Sequence, residues 1–178
     1  MQIHLLSIGH GTQDASAFNA HLRAADVVSA VDIRRFPESR QNPQFGQAAL
    51  SDTLRQAGIE YRPMPELGGR RTARPDSPNT SLRNASFRGY ADFMQTPEFA
   101  GALLELLMLA GDRQTVMFCA ETLWWRCHRR LVADAVVLLH GGAVTHIVGA
   151  MRAAHVVTPG ARRDGSRLVY DERVQRRV

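Results

Sequence analysis

The chain has 178 residues, an apolar fraction of 44% and a formal net charge of +5, with a sequence pI of about 10.2. That length suits one domain whose core needs no disulfides, which argues against a long disordered chain or a cysteine-stapled secreted scaffold. No stretch reaches the roughly 18 apolar residues of a membrane span, and Met1-Gln-Ile-His lacks the basic start of a signal peptide, so no membrane partner and a cytoplasmic location are expected.

The elements read as follows in chain order. Ile3 to Ile8 is a buried strand, closed by Gly9-His10-Gly11. Thr12 or Asp14 caps a helix that runs to about Ala25. Val27 to Ile33 is a second strand, followed by a loop rich in Arg and Pro from Arg34 to Pro43. A helix over Gln47 to Ala57 stops at Gly58, and Ile59 to Pro63 is a short strand. Pro65 to Arg88 reads as one long loop, a length that usually marks function. Helices are expected over Tyr90 to Met94 and Pro97 to Leu109. Thr115 to Cys119 is a strand, Trp125 to Leu139 a helix and Val144 to Val148 a last strand. The α/β domain is thus assigned to residues 1–150. A C-terminal extension, 151–178, carries Asp164-Gly165 as the turn of a small hairpin packed on that domain.

Alternating strands and helices imply a mostly parallel sheet with helices on both faces, an α/β fold. Ligands of such sheets bind beyond the carboxyl ends of the strands. His10, Asp32, Arg34, Cys119 and Glu121 all follow strands and should share one rim.

The segment richest in chemistry is Cys119-Ala-Glu-Thr-Leu-Trp-Trp-Arg-Cys-His-Arg-Arg130. A thiol that enters a helix beside arginines gains thiolate character, which favours Cys127 as the more acidic sulfur. Cys119 occupies a strand end, another frequent nucleophile position, while Glu121 and His128 are proton carriers. Six residues separate Cys119 from Arg126, so the five-residue spacing of cysteine phosphatases is not met. The spacing of the two cysteines also excludes a Cys-x-x-Cys redox motif. Both cysteines and His128 are potential zinc donors, with His10 a fourth, yet no paired zinc-knuckle spacing accompanies them.

All 22 basic side chains are Arg. The planar guanidinium fork suits phosphate and carboxylate. Arg34, Ser39, Arg40, Arg70 and Arg129 are therefore the expected substrate contacts, and Asp32 either orients an Arg or serves as a base. The glycine-flanked turn Ser7-Ile-Gly-His-Gly-Thr12 offers backbone N–H groups to an anion. The loop Leu67-Gly-Gly-Arg-Arg71 is placed to act as a lid.

Together these residues resemble the domain-of-unknown-function family numbered 488. The resemblance rests on Ser7-Ile-Gly-His10, Val31-Asp-Ile-Arg34 with Pro37, Ser39, Arg40 and Phe45, then Tyr61 and Leu67-Gly-Gly-Arg70. It continues through Gly89-Tyr-Ala-Asp-Phe-Met94, Cys119-Ala-Glu121, Cys127-His-Arg129 and His146-Ile147. It implies that His10, Asp32, Arg34, Arg40, Cys119, Glu121, Cys127, His128 and Arg129 occupy the family's characteristic positions. The family name carries no activity. Thr-Leu-Trp-Trp-Arg between Glu121 and Cys127 departs from the polar or proline-containing link that is usual there.

The expectation is an enzyme acting on a phosphate-bearing substrate, a nucleotide or nucleic acid, through a Cys/Glu/His/Arg site. The rivals are a non-catalytic anion or nucleic-acid binding module and a Cys/His metal site. The sequence names no cofactor and leaves a homodimer open.

Overall fold

The computed structural model describes residues 3–38 and 40–172. Six strands form one sheet: β1 (His4–Gly9), β2 (Ser29–Asp32), β3 (Glu60–Pro63), β4 (Thr115–Cys119), β5 (Ala143–Val148) and β6 (Met151–Ala154). Their order is β3-β2-β4-β1-β5-β6; β1 to β5 are parallel and β6 pairs antiparallel with β5. A separate hairpin joins β7 (Ala161–Asp164) and β8 (Arg167–Tyr170) across the expected Asp164-Gly165 turn. The helices are α1 (Ala15–Arg23), α2 (Gln47–Gln56), α3 (Ala85–Phe93), α4 (Pro97–Asp112) and α5 (Arg129–His140). This is the α/β architecture that the alternating pattern implied. Among the described residues no helix is long and apolar enough to cross a membrane.

Side chains alternate across a strand, so the sheet sorts its apolar residues onto two faces. Leu6, Ile8, Val116, Phe118 and Ile147 pack with Phe18 and Leu22 of α1 and Leu50 and Leu54 of α2. Leu5, Val31, Met117 and Val144 face the other way, against α3, α4, α5 and the hairpin residues Leu168 and Tyr170. Several ends follow capping chemistry. Asp14 accepts from the Ala17 amide, and Asn84 accepts from Ser86 and Phe87. Gly141, at φ 64°, closes α5 in the left-handed region.

Three expectations need correction. The helix expected from Trp125 is interrupted: a single tight turn covers Trp124–Arg126, and α5 begins only at Arg129. Cys127 therefore precedes the helix in extended backbone, and His128 stands at the cap position. The helix expected from Tyr90 begins five residues earlier, at Ala85, because Asn84 supplies the cap. Val144 to Val148 is not the last strand of the sheet, since β6 adds an edge whose four residues are all exposed. Without a buried face, its sequence shows no apolar alternation.

Candidate functional site

In the sheet β2, β4 and β1 lie side by side, so their carboxyl ends bring Arg34, Cys119 and His10 to one rim. The turn after β1 is fastened to the segment after β4. The His10 amide donates to the Cys119 carbonyl at 3.0 Å and the Gly11 amide to that of Ala120 at 2.9 Å. These N–H groups are thus engaged within the chain, contrary to the anion-binding expectation for this turn. Gly9 has a different role. A Cβ there would lie 1.9 Å from the Glu121 carbonyl oxygen and 2.8 Å from a terminal nitrogen of Arg129. Only glycine permits this close approach.

Arg129 enters from the first turn of α5 and is 1% exposed. Its donors reach the Cys127 Sγ at 3.4 Å and the Ser7 hydroxyl oxygen at 3.3 Å, and they also reach the carbonyls of Glu121 and Thr122. A buried guanidinium needs such a set of acceptors. Arg129 is consequently a brace for the Cys119–Cys127 segment, with its charge held against a sulfur, and not a free anion contact.

The His128 ring is oriented from the opposite side. Its Nε2 lies 3.0 Å from the Ile33 carbonyl oxygen, which can only accept, so Nε2 carries the proton. His128 Nδ1 then faces the Cys127 Sγ at 3.6 Å, where it can take up the thiol proton and pair with the resulting thiolate. Burial pushes the Cys127 thiol up, but the Cys119 hydrogen bond together with the charges of His128 and Arg129 hold it well below the ordinary thiol value. The Cys119 thiol moves the other way: its hydrogen bond to Cys127, and then its burial, raise it. Two sulfurs eight positions apart thus divide into a thiolate and a proton-holding thiol.

One donor atom from each of Cys119, Cys127 and His128 lies within 4.8 Å of the others. These three are the residues that could hold a metal, and the carbonyl bond to the remote His128 nitrogen is the orientation that metal ligands use. His10, expected as a fourth donor, is engaged elsewhere. The guanidinium on the Cys127 sulfur suits a thiolate whose charge the protein itself balances.

A cleft of about 430 Å³ opens over the thiols. Arg34, Arg35, Arg70 and Arg126 line its wall together with Phe36, Phe87, Tyr90 and Glu121. Gly69 brings the loop backbone against the His128 ring, where a Cβ would sit 2.9 Å from Nδ1. Arg70 follows at φ 59°. The Leu67-Gly-Gly-Arg segment is therefore one wall of the cleft.

Asp32 and His10 support Arg34 from behind. Asp32 receives two bonds from the Arg34 guanidinium, at 2.8 and 2.5 Å, and a third from the Tyr61 hydroxyl at 2.8 Å. Of the two roles expected for Asp32, this occupancy matches orientation of an arginine. His10 donates from Nδ1 to the Gly11 carbonyl at 2.8 Å and accepts at Nε2 from Arg34 at 3.3 Å. Its ring stacks on Phe45 with centroids 4.0 Å apart. Burial lowers its pKa from 6.5 to about 4, so the ring is neutral. Its backbone adjoins Cys119, but its side chain does not line the cleft.

The expected residues thus separate by position. Cys119, Glu121, Cys127, His128, Arg34 and Arg70 line the cleft; Asp32, His10 and Arg129 lie behind it; Arg40 is exposed and outside it. Ser39 lies outside the described residues. Arg35, Phe36 and Phe87 are cleft residues that the sequence reading did not select. Arg34 runs directly into Arg35 in the segment after β2, and that adjacency was the available signal.

A second polar array lies behind the Trp124 turn. Asp134 accepts from His155 at 2.9 Å, from the Thr158 amide at 2.9 Å and from the Tyr170 hydroxyl at 3.0 Å. His155 bonds to His146 at 3.0 Å, and Trp124 lies flat on His146. Burial lowers the His146 pKa to about 3. Nothing in the spacing of Asp134, His146 and His155 announces this array, because its members come from α5, β5 and the segment after β6.

The family model described as "Domain of unknown function DUF488" matches residues 14–136, more than half of the chain. The chain belongs to the DUF488 family. No curated protein and no solved structure matches it. The matched range of this DUF488 protein includes Asp32, Arg34, both cysteines, His128 and Arg129.

Proposed function

We propose that this DUF488 protein is an enzyme that acts on a phosphate-bearing substrate, a nucleotide or nucleic acid, with Cys127 as nucleophile. The observation that carries the reading is the pairing of the Cys127 sulfur with both His128 Nδ1 and Arg129 Nε on the floor of an arginine-lined cleft. In this reading His128 takes the thiol proton at Nδ1, while Ile33 holds the ring in the required tautomer. Arg34, Arg35, Arg70 and Arg126 bind the anion, and the aromatic rings flank the remainder of the substrate. The thiolate attacks the electrophilic centre, His128 returns its proton to the leaving group, and Glu121 assists the water that releases the covalent adduct. A reducing cytoplasmic location accompanies the proposal, because the nucleophile must remain a free thiolate.

The test is a titration with a mononucleotide and with single-stranded nucleic acid, each at two salt concentrations. A polyanion weakens steeply with salt because counterions are released in proportion to the phosphates contacted; a mononucleotide gives a shallow slope. Arg70→Ala and Arg126→Ala should weaken either ligand, and Cys127→Ser should remove any covalent adduct. Binding unaffected by both arginine replacements would refute the anion assignment. Stoichiometric zinc in the purified protein would refute the nucleophile, because the cleft would then hold a metal on Cys119, Cys127 and His128.

A further inference from the structure

The proposed function uses one cysteine and gives the second no chemistry. Cys119 is half-buried at the end of β4, it lines the same cleft, and its sulfur lies within 4.8 Å of that of Cys127. A disulfide needs about 2.05 Å between sulfurs, so closure requires a shift of less than 3 Å by side chains at the two ends of one short segment. That segment passes through Ala120, Glu121 and Thr122, which are exposed while their carbonyls are held by Gly11 and Arg129, so closure falls to the two cysteine side chains.

We propose that Cys119 and Cys127 form a peroxide-modifiable dithiol, in which Cys127 is oxidised first and Cys119 resolves it to an intramolecular disulfide that reversibly silences the site. This rests on the reading of Cys127 as the reactive thiolate. The Cys127 sulfur attacks one oxygen of hydrogen peroxide; an S–O bond forms, the O–O bond breaks, and the departing hydroxide takes a proton to become water. The Cys119 sulfur then attacks the sulfenic sulfur of Cys127. The S–S bond forms, the S–O bond breaks, and the hydroxyl leaves as a second water with the Cys119 proton. The two cysteines together lose two electrons, and peroxide is reduced to water.

The arrangement has the two properties this chemistry needs. The attacking sulfur faces His128 Nδ1 and Arg129 Nε, which favour its ionised form. The resolving sulfur stands at the end of β4, within 4.8 Å of the attacking one and on the same cleft, so it reaches the oxidised sulfur without a movement of the strand. The product disulfide removes the negative charge that faces Arg129 and His128, and with it the nucleophile, while β4 and α5 on either side stay in place.

The experiment uses the full chain. The reduced protein is treated with stoichiometric hydrogen peroxide, alkylated, digested with trypsin and analysed by mass spectrometry without reduction. Cleavage after Arg113, Arg126 and Arg129 puts Cys119 in residues 114–126 and Cys127 in residues 127–129. The expected product is a cross-link between these two peptides that dithiothreitol abolishes, restoring iodoacetamide labelling. In Cys119→Ser the cross-link should vanish and a dimedone adduct should appear on Cys127, whereas Cys127→Ser should leave Cys119 unmodified. Accumulation of Cys127 sulfinate without a cross-link, or an inter-chain disulfide only, would overturn the proposal. Iodoacetamide labelling of the untreated protein near neutral pH separates the two readings. If Cys127 labels there but does not cross-link, the dithiol proposal fails and the nucleophile stands; if it does not label, the nucleophile fails as well.

Discussion

Trp124 lies flat on His146, with ring centroids 4.1 Å apart and an interplanar angle of 2°. The Trp124 carbonyl also accepts the Cys127 amide at 3.1 Å. The stack therefore fixes one end of the turn that delivers the reactive sulfur. His146 is fixed in its turn by His155, and His155 by Asp134. Replacing Trp124 by Ala should cost about 1 kcal/mol from the lost ring pair, plus its lost burial. It should also move Cys127 ionisation toward the ordinary thiol value. Trp124→Phe should restore most of both. Urea unfolding and alkylation rates on the same samples check the two effects, and an unchanged alkylation profile in Trp124→Ala would remove the positioning role.

Cys127 should ionise well before Cys119. Alkylation across a pH series should show Cys127 already reactive near neutral pH, while Cys119 remains protonated past the ordinary value of about 8.5. His128→Gln should shift Cys127 upward, because it removes the nitrogen that faces the sulfur at 3.6 Å. Peptide mapping of the alkylated cysteines reads each site separately. Equal ionisation of the two thiols would remove the asymmetry.

Gly9→Ala should disturb the thiol site although Gly9 carries no side chain. The added methyl meets a backbone carbonyl at 1.9 Å, which cannot rotate away as a side-chain tip can. The Glu121 carbonyl and the Arg129 guanidinium must both withdraw from residue 9, and a forced backbone shift of this kind costs about 1–3 kcal/mol. The expected result is lower stability together with slower Cys127 alkylation. Gly58→Ala is the control: its φ is 75°, but nothing lies within 4 Å, so it should lose stability from strain alone and leave the alkylation rate unchanged.

Buried His10 should make the protein sensitive to acid. Burial lowers its pKa from 6.5 to about 4 in the folded chain. Below pH 6.5 the unfolded chain takes up a proton that the folded chain refuses. The stabilisation is thus complete above pH 6.5 and declines as pH falls toward 4, by up to about 1.4 kcal/mol per pH unit for this group. His146, whose pKa burial lowers to about 3, contributes over the same window, so His10→Gln should reduce the slope of the stability profile without removing it, in urea titrations at several pH values. An unchanged slope would show that His10 is not the group responsible.

How much of this was legible in the sequence depended on distance along the chain. The alternation of strands and helices, the strand Thr115 to Cys119 and the Asp164-Gly165 hairpin are local patterns, and each is written within a few consecutive residues. Strand polarity alone placed Cys119 and Arg34 on one rim, because parallel strands share a carboxyl end. The sequence could also say that Cys119, Glu121, Cys127 and His128 belong together, since ten residues contain them all. It could not say which arginines face the cleft. Arg129 and Arg40 are alike as sequence letters, yet one is buried among carbonyls and a sulfur and the other is exposed. That difference arises because β4 inserts between β2 and β1 and α5 returns across the sheet, which brings Ser7 and Arg129 into contact across 122 positions. The Asp134–His155–His146 array has the same origin. Hydrogen bonds act over about 3 Å of space, and only the folded chain decides which residues are that close.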